Sequence, residues 1–563
     1  MGSSERLYLV ADFNIDTLER YLANTTLVGV ETAVAPAGPV MTALAAGPPA
    51  PDWTAVVWTR PETAIHTFRR ALAFEEVDQE DALEEVRTFA SAVGRFAARA
   101  HAVLLPTWVL PPFERGWGML DYRPDVGVAL LLARMNVALA EALRDQPSVF
   151  LLDASRWIAA AGLRGWSQKL WYATKSPFGP AVIDEAAADI AAAIDGLAGR
   201  ARRVIILDLD DVLWGGVVGE VGWADLKLGG HDHVGEAFAD FQRALKALAA
   251  RGILLAIVSK NDEAVALEAI DRHPEMQLRR RDFAAWRINW ADKAQNVVDV
   301  LAELNLGPES AVFVDDSAIE RERVRSAVPG ILVPEWPDDP TRFREALASL
   351  RCFDSPFVTV EDRARSRLAA ADRSRRAVLP AAANVADWLQ SLDIRIAVEP
   401  LADTNLDRAA QLFNKTNQMN LATRRLSKAE LSAWAAADGH SVLTFRVADR
   451  FGDSGLTGIV GLRISGPEAH LVDFVLSCRV MGRSVEEAML HVAVAHCRAR
   501  GASTIRAEFK PTPRNAPFHD FLRRSGLRMA MDNVFTWDTS HAYECPRWIT
   551  VTDGAGVVAA FDR

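Results

Sequence analysis

Two carboxylates, Asp208 and Asp210, follow the apolar run 204–207 and come shortly before Gly215 and Gly216. Alternate residues at the end of a strand point the same way, so both carboxylates can reach one cavity as the chain turns. Two acids so placed can hold a divalent cation and divide the work of nucleophile and general acid or base. Three further groups come downstream in order. Ser259 ends the apolar run 253–258, Lys293 opens a helical stretch, and Asp315 with Asp316 ends the run 311–314. Open α/β sheets assemble their sites at the carboxyl ends of their strands. A phosphoryl group in transfer spreads negative charge over its oxygens, against which a cation, a lysine and a hydroxyl donor are the useful partners. Carboxylates and water suit Mg²⁺. Taken singly, each group is commonplace: an Asp-x-Asp surface turn, a serine capping a turn, a solvated lysine. The ordered set points to phosphoryl chemistry.

That set resembles the haloacid dehalogenase-like phosphohydrolase superfamily motif for motif. The resemblance implies Asp208 as a nucleophile that forms an aspartyl-phosphate and Asp210 as general acid and base. Ser259 and Lys293 would hold the phosphoryl oxygens, and Asp208, Asp210, Asp315 and Asp316 would form the Mg²⁺ site. Helical stretches at 238–248 and 263–270 use most of the intervals between the motifs, so no large cap domain is expected. An uncapped site suits a bulky or protein-tethered substrate, unless a neighbouring domain serves as its lid.

With 563 residues the chain exceeds one core, and several domains are expected. Half the residues are hydrophobic and 24% are charged, as in a soluble globular protein. A net charge of −11 argues against nucleic acid as the main partner. Cys352, Cys478, Cys497 and Cys545 lack the spacing of a zinc site or a disulfide framework. The first residues do not read as a secretory leader, and no apolar stretch reaches membrane-spanning length. No membrane partner and a cytoplasmic location are expected. His231, Asp232 and His233 invite a metal reading, but no third ligand at suitable spacing is evident, and a solvated loop is preferred.

The expected class is α/β with three domains. Residues 1–200 alternate strands (7–11, 53–57, 102–105, 149–153) with helices such as 128–143, as a doubly wound parallel sheet does. The order resembles SGNH-type hydrolases, without their serine and histidine: Asp12, Phe13 and Asn14 follow the first strand, and no histidine lies in 170–178. A scaffold or substrate-binding role is expected there. The capless phosphatase-like core occupies 201–350, and a linker fills 351–393, with a surface helix at 359–376 broken at 380–384. Residues 394–563 show strands at 394–398, 442–448, 457–464 and 470–476, a helix at 484–500 and a strand at 504–509. This α+β order resembles the GNAT acyltransferase fold. In that fold a glycine-bearing turn at a helix N-terminus holds the coenzyme A pyrophosphate, a part that falls here to Arg479, Gly482 and Arg483.

Taken together, the strings 208–216, 259–262, 283–290, 313–316, 414–421 and 477–483 are similar to the FkbH-like proteins of polyketide and related pathways. The resemblance implies capture of a glyceryl unit from 1,3-bisphosphoglycerate, dephosphorylation, and delivery to the phosphopantetheine thiol of an acyl carrier protein. Three departures stand out. Val258 occupies the position where many members have cysteine, Asp211 and Val212 replace Asn-Thr, and the loop 229–233 is unusual. Valine cannot carry an acyl group. Cys478 is the other thiol to weigh, against the plainer reading of a small buried cysteine. The competing readings are a free-standing phosphatase acting on a small phosphorylated metabolite, a sugar or cyclitol, and a non-catalytic assembly subunit. The intact Asp208, Asp210, Lys293 and Asp315 count against the last.

Overall fold

The computed structural model describes residues 5–23, 30–230, 232–357, 385–416 and 418–553. His231 and the expected linker helix at 359–376 with its break at 380–384 lie outside them. The chain divides into two compact units, 1–196 with 427–429, and 197–426 with 430–563.

The first unit is built on a five-stranded parallel sheet: β1 (Arg6–Ala11), β2 (Glu31–Val34), β3 (Thr54–Trp58), β4 (Ala102–Pro106) and β5 (Val149–Leu152), in the order β2-β1-β3-β4-β5. Every residue of β3 and β4 is buried, as expected of parallel strands covered on both faces. The helix Gln79–Ala97 shows why the cover forms. The Asp78 carboxylate accepts from the Glu80 amide at its start, and Ala82, Val86, Phe89, Val93 and Phe96 recur at helical spacing on its buried face. β2, not expected from the sequence, has no buried residue.

In the second unit, β6 (Val204–Leu207), β7 (Leu254–Ser259), β8 (Phe283–Ile288) and β9 (Ala311–Val314) form a parallel sheet in the order β8-β7-β6-β9. The connections are made by the helices His233–Ala250, Glu263–Arg272 and Lys293–Glu303, with no inserted domain among the described residues. A side chain just beyond the sheet's carboxyl edge starts each helix: Asp232, Asp262 and Asp292 accept from amides of the first turn.

The same unit holds a larger mixed sheet: β10 (Ile394–Pro400), β11 (Met419–Asn420), β12 (His440–Asp449), β13 (Gly452–Ser465), β14 (Glu468–Leu476), β15 (Thr504–Glu508), β16 (Arg528–Met531), β17 (Val534–Asp538) and β18 (Ile549–Asp553). Its path runs β16-β17-β15-β14-β13-β12-β10-β18, with β11 paired to β14. Only the β14–β15 and β10–β18 pairs are parallel. Alternation along β13 and β14 explains the two covering helices. Ile459 and Val475 pack with the helix Asp403–Lys415, while Val460, Leu462, Phe474 and Leu476 join the core with Val485–Ala499. The chain is thus a multidomain α/β protein. Among the described residues, no helix is long and apolar enough to cross a membrane.

Phe313 is fully buried in β9, between Val312 and Val314, which face the other side of the same sheet. Phe313→Ala is expected to cost about 3–5 kcal/mol, read as a lowered urea midpoint with unchanged slope.

Candidate active site

Register fixes the first contacts. Leu207 of β6 lies opposite Val314 of β9, so Asp208 and Asp315, each the next residue, leave the sheet side by side. The Asp208 amide donates to the Val314 carbonyl at 3.0 Å and closes the ladder at that point. Lys293, the first residue of its helix and held there by the Asp292 cap, places Nζ 2.6 Å from Asp208 Oδ2 and 2.6 Å from Asp315 Oδ2. All three are deeply buried, at 7%, 3% and 0% exposure for Asp208, Lys293 and Asp315. The other oxygens are also used: Asp208 Oδ1 accepts from the Leu209 amide at 2.7 Å, and Asp315 Oδ1 from the Ser317 amide at 3.0 Å.

Carboxylate oxygens of Asp208, Asp315 and the more exposed Asp316 lie within 4.8 Å of one another. Burial pushes the Asp315 carboxyl up to about 6, the neighbouring Asp208 charge adding to the effect and Lys293 opposing it. Burial and Asp208 raise Asp316 as well. For Lys293, burial works against the charge, but the two carboxylates outweigh it and hold its pKa above the usual lysine range. Three carboxylates thus face one ammonium. Hard oxygen donors with such an excess of negative charge are the set a divalent cation of the Mg²⁺ kind takes.

Asp210 goes elsewhere. Its carboxylate accepts from Trp214 Nε1 at 2.8 Å and the Val218 amide at 3.1 Å, both at Oδ1, and from Asn261 Nδ2 at 2.8 Å at Oδ2. Asn261 Nδ2 also reaches Ser259 Oγ at 3.3 Å, so Ser259, Asn261 and Asp210 form one network at the ends of β6 and β7. The four expected metal carboxylates therefore divide into a group of three and an Asp210 held apart by donors. The cause is local. β6 ends at Leu207, Asp211 adopts a left-handed backbone (φ 54°), and its Oδ1 accepts from the Gly216 amide at 2.8 Å, folding the loop back. Asn261 and Trp214 were not expected as site residues. The available signal was Asn261's place two residues beyond Ser259, just past the end of β7.

Val258 and Val212 are fully buried core residues. Asp232 caps its helix through the Val234 and Gly235 amides, and neither it nor His233 joins a group of three metal-capable side chains among the described residues. Gly482 has φ 73° and Arg483 is buried, its guanidinium 3.3 Å from Asp449 Oδ2 and donating at 2.6 Å to the Arg479 carbonyl. Nothing describes the Cys478 side chain. Cys497 is buried in the core, where burial pushes its thiol up to about 12, and burial raises Cys545 too. In the first unit, Asp12 follows β1 and accepts from the Arg60 amide, and burial pushes it up to about 6 despite the Arg60 charge. A cavity of about 220 Å³ adjoins Arg60, lined by Trp58, Trp166, Trp171 and Phe178 among others.

No protein-family model and no curated protein sequence matches the chain. Among solved structures, the N-terminal part of the protein BF1531 from Bacteroides fragilis, containing a phosphatase domain and complexed with Mg, is similar. The likeness covers 63% of this chain and 94% of that one at 25% identity, with a TM-score of 0.56. The ribosomal-protein-S18-alanine N-acetyltransferase from Escherichia coli covers 26% of this chain and 96% of its own, at 14% identity and a TM-score of 0.21. An acetyltransferase of the GNAT family from Desulfovibrio desulfuricans gives 12%, 26%, 99% and 0.21 for the same quantities of identity, coverage of each chain and TM-score.

Two outcomes are expected. Because Asp315 binds its proton up to about pH 6, that proton competes with a cation below this point. Calorimetric Mg²⁺ affinity should therefore be pH-independent well above 6 and fall about tenfold by pH 5. The sign follows for the cation-free protein as well. The folded state binds this proton more tightly than the unfolded chain, so this group's contribution to stability declines as pH rises from about 4 to 6. Separately, Asn261→Ala should lower kcat for phosphate-ester hydrolysis by about tenfold or more while leaving Mg²⁺ affinity unchanged, because it frees Asp210 without touching the three-carboxylate group.

Proposed function

We propose that this chain is a Mg²⁺-dependent phosphohydrolase of the haloacid dehalogenase type, organised like the FkbH-like proteins. The observation that carries the reading is Lys293 bridging Asp208 and Asp315 at the carboxyl edge of four parallel strands, with Asp316 alongside. The similarity to a protein with a phosphatase domain complexed with Mg supports it.

Asp208, Asp315 and Asp316 would hold the cation, which when bound supplies positive charge against the phosphoryl oxygens. The chain's own groups account for the rest. An Asp208 oxygen attacks phosphorus as the bond to the leaving oxygen breaks, and that oxygen takes a proton from Asp210. Water then attacks the aspartyl-phosphate, Asp210 takes the water's proton, and phosphate leaves with Asp208 restored. Lys293 and Ser259 stabilise charge on the phosphoryl oxygens. The network through Trp214, Val218 and Asn261 keeps Asp210 at a fixed place for both proton transfers.

At the finer level, the substrate would be 1,3-bisphosphoglycerate, with the glyceryl unit passed to the phosphopantetheine thiol of an acyl carrier protein. The uncapped edge of the sheet is compatible with a tethered acceptor. A specific observation favours the second reading, phosphate removal from a sugar or cyclitol phosphate without acyl transfer. The buried Val258 offers no thiol at the position where many family members have cysteine.

Asp208→Asn should lower Mg²⁺-dependent hydrolysis of p-nitrophenyl phosphate by about three powers of ten or more, and full retained activity would remove the mechanism. Mass spectrometry of a carrier protein incubated with 1,3-bisphosphoglycerate, Mg²⁺ and the enzyme separates the finer readings. A glyceryl adduct supports loading, whereas phosphate release from sugar phosphates with an unmodified carrier supports the alternative.

A further inference from the structure

β14 and β15 run parallel only over part of their length. Glu468 to Leu471 pair with Thr504 to Ala507, and beyond Leu471 the two strands part. Parted parallel strands expose unpaired amides and carbonyls along a cleft. A linear, amide-bearing molecule can add there as an extra strand, which is how extended peptides bind sheet edges. The pantetheine arm of coenzyme A or of a carrier protein has that chemistry, and the turn at Gly482 that would receive an adjoining pyrophosphate lies just past the end of β14.

In this chain the cleft is filled from within. Met419 and Asn420 of β11 pair with Leu476 and Val475, and the Leu421 amide donates to the Phe474 carbonyl at 3.0 Å. On the far side, the Lys510 amide donates to the Leu421 carbonyl at 3.0 Å, so residues 419–421 bridge the parted strands and restore the sheet. Two buried asparagines pin the insert. Asn515, at 0% exposure, donates from Nδ2 to the carbonyls of Asn420 (3.0 Å) and Lys510 (2.9 Å), and its Oδ1 accepts from the Thr512 amide at 2.7 Å. Asn420 donates to the Thr416 carbonyl at 3.0 Å and accepts from the Thr423 amide at 2.7 Å. Displacing the insert would leave these buried groups unpaired, a state buried polar groups rarely adopt.

The helix start beyond Gly482 is also unsuited to a pyrophosphate. Arg483 is committed to Asp449 and the Arg479 carbonyl. Glu486 and Glu487 sit in the first turn, and Glu486 is buried. One Glu486 oxygen pairs with Arg524 at 3.3 Å, and the other has no partner.

We propose that the C-terminal sheet binds neither coenzyme A nor a phosphopantetheine arm, because residues 419–421 occupy its arm-binding cleft as a built-in strand. The domain is then an acyltransferase-like fold that transfers no acyl group itself. If a carrier thiol is served at all, it is served at the Asp208 edge of the phosphatase-like core. The inference rests on the acyltransferase-like reading of the β10–β17 topology and not on the phosphoryl chemistry.

The test is a calorimetric titration of the full chain with coenzyme A and with acetyl-coenzyme A, paired with hydrogen exchange of the backbone amides. The expected result is no saturation up to about 1 mM ligand, with the Leu421 and Lys510 amides protected and unchanged by it. Saturable binding at micromolar ligand, or ligand-dependent exchange at those two amides, would overturn the proposal. Asn515→Ala should raise exchange at both amides selectively, whereas equal rates in variant and parent would show that the insert is not pinned as described. Mg²⁺ binding by the same preparation establishes that the protein is folded. Loss of turnover and absence of coenzyme A binding are separate readouts, so either reading can fail without the other.

Discussion

The arrangement depends on a buried ammonium shared by two carboxylates. Asp208 and Asp315 leave adjacent strands in register, and without Lys293 between them two buried like charges would face each other, a state that raises the pKa of one or both. Breaking a buried pair by removing one partner typically costs about 3–5 kcal/mol, because the remaining charge is left uncompensated. The clasp therefore demands a rigid frame. It has one in the fully buried strands β6 and β9 and in the Asp292 cap, which fixes where the Lys293 helix begins. One ammonium does not balance Asp208, Asp315 and Asp316 together. The residual negative charge is what makes the site receptive to a cation rather than merely stable.

A second frame holds Asp210. Gln242, fully buried in the helix His233–Ala250, donates to the Leu213 carbonyl at 2.7 Å and accepts from the Gln277 amide at 2.9 Å. It thereby ties the loop after β6 to the segment preceding β8. Trp214, also fully buried, then presents its indole N–H to Asp210. Asp208 and Asp210 are consequently positioned by different neighbours, Asp208 by the sheet and Lys293, Asp210 by the loop and Asn261. A change in one network need not disturb the other, so substitution can separate what each carboxylate contributes.

Legibility in the sequence followed apolar composition. The runs at 204–207, 254–259 and 311–314 were readable because both faces of a central parallel strand must be apolar, and each run ends in the polar residue that matters. β2 and β16 lie at sheet edges with no buried residue and are mixed in composition, whereas β5, an edge strand equally without a buried residue, is legible as the apolar run Val149–Leu152. β11 could not have been read at all, since two residues carry no period and its pairing is set by the parted ends of β14 and β15. The chemistry behaved likewise. Residue types and order located Asp208, Ser259, Lys293 and Asp315. The expectation that Asp210 joins Asp208, Asp315 and Asp316 as a metal carboxylate assumed that the strand continues, but it stops at Leu207 and Asp210 lies outside the group of three. Asn261 lay in view beside Ser259, but its bond to Asp210 spans two strand ends and belongs to tertiary structure.

The two sheets of the second unit treat polar groups in opposite ways, and the contrast bears on which of them can do chemistry. A ligand gains most where the folded chain leaves charge or hydrogen-bonding capacity unmet, because elsewhere each new bond must replace an existing one. At the edge of β6–β9 the folded chain leaves a surplus of carboxylate charge over the one ammonium, Lys293, that bridges Asp208 and Asp315. In the cleft of the C-terminal sheet the corresponding backbone groups are met by residues 419–421, and the asparagines that hold the insert are themselves satisfied on both amide atoms. A ligand entering there would exchange made bonds for equivalent ones and lose the entropy of ordering besides. The edge of β6–β9 offers a ligand unmet charge, whereas the cleft offers it backbone groups that are already paired.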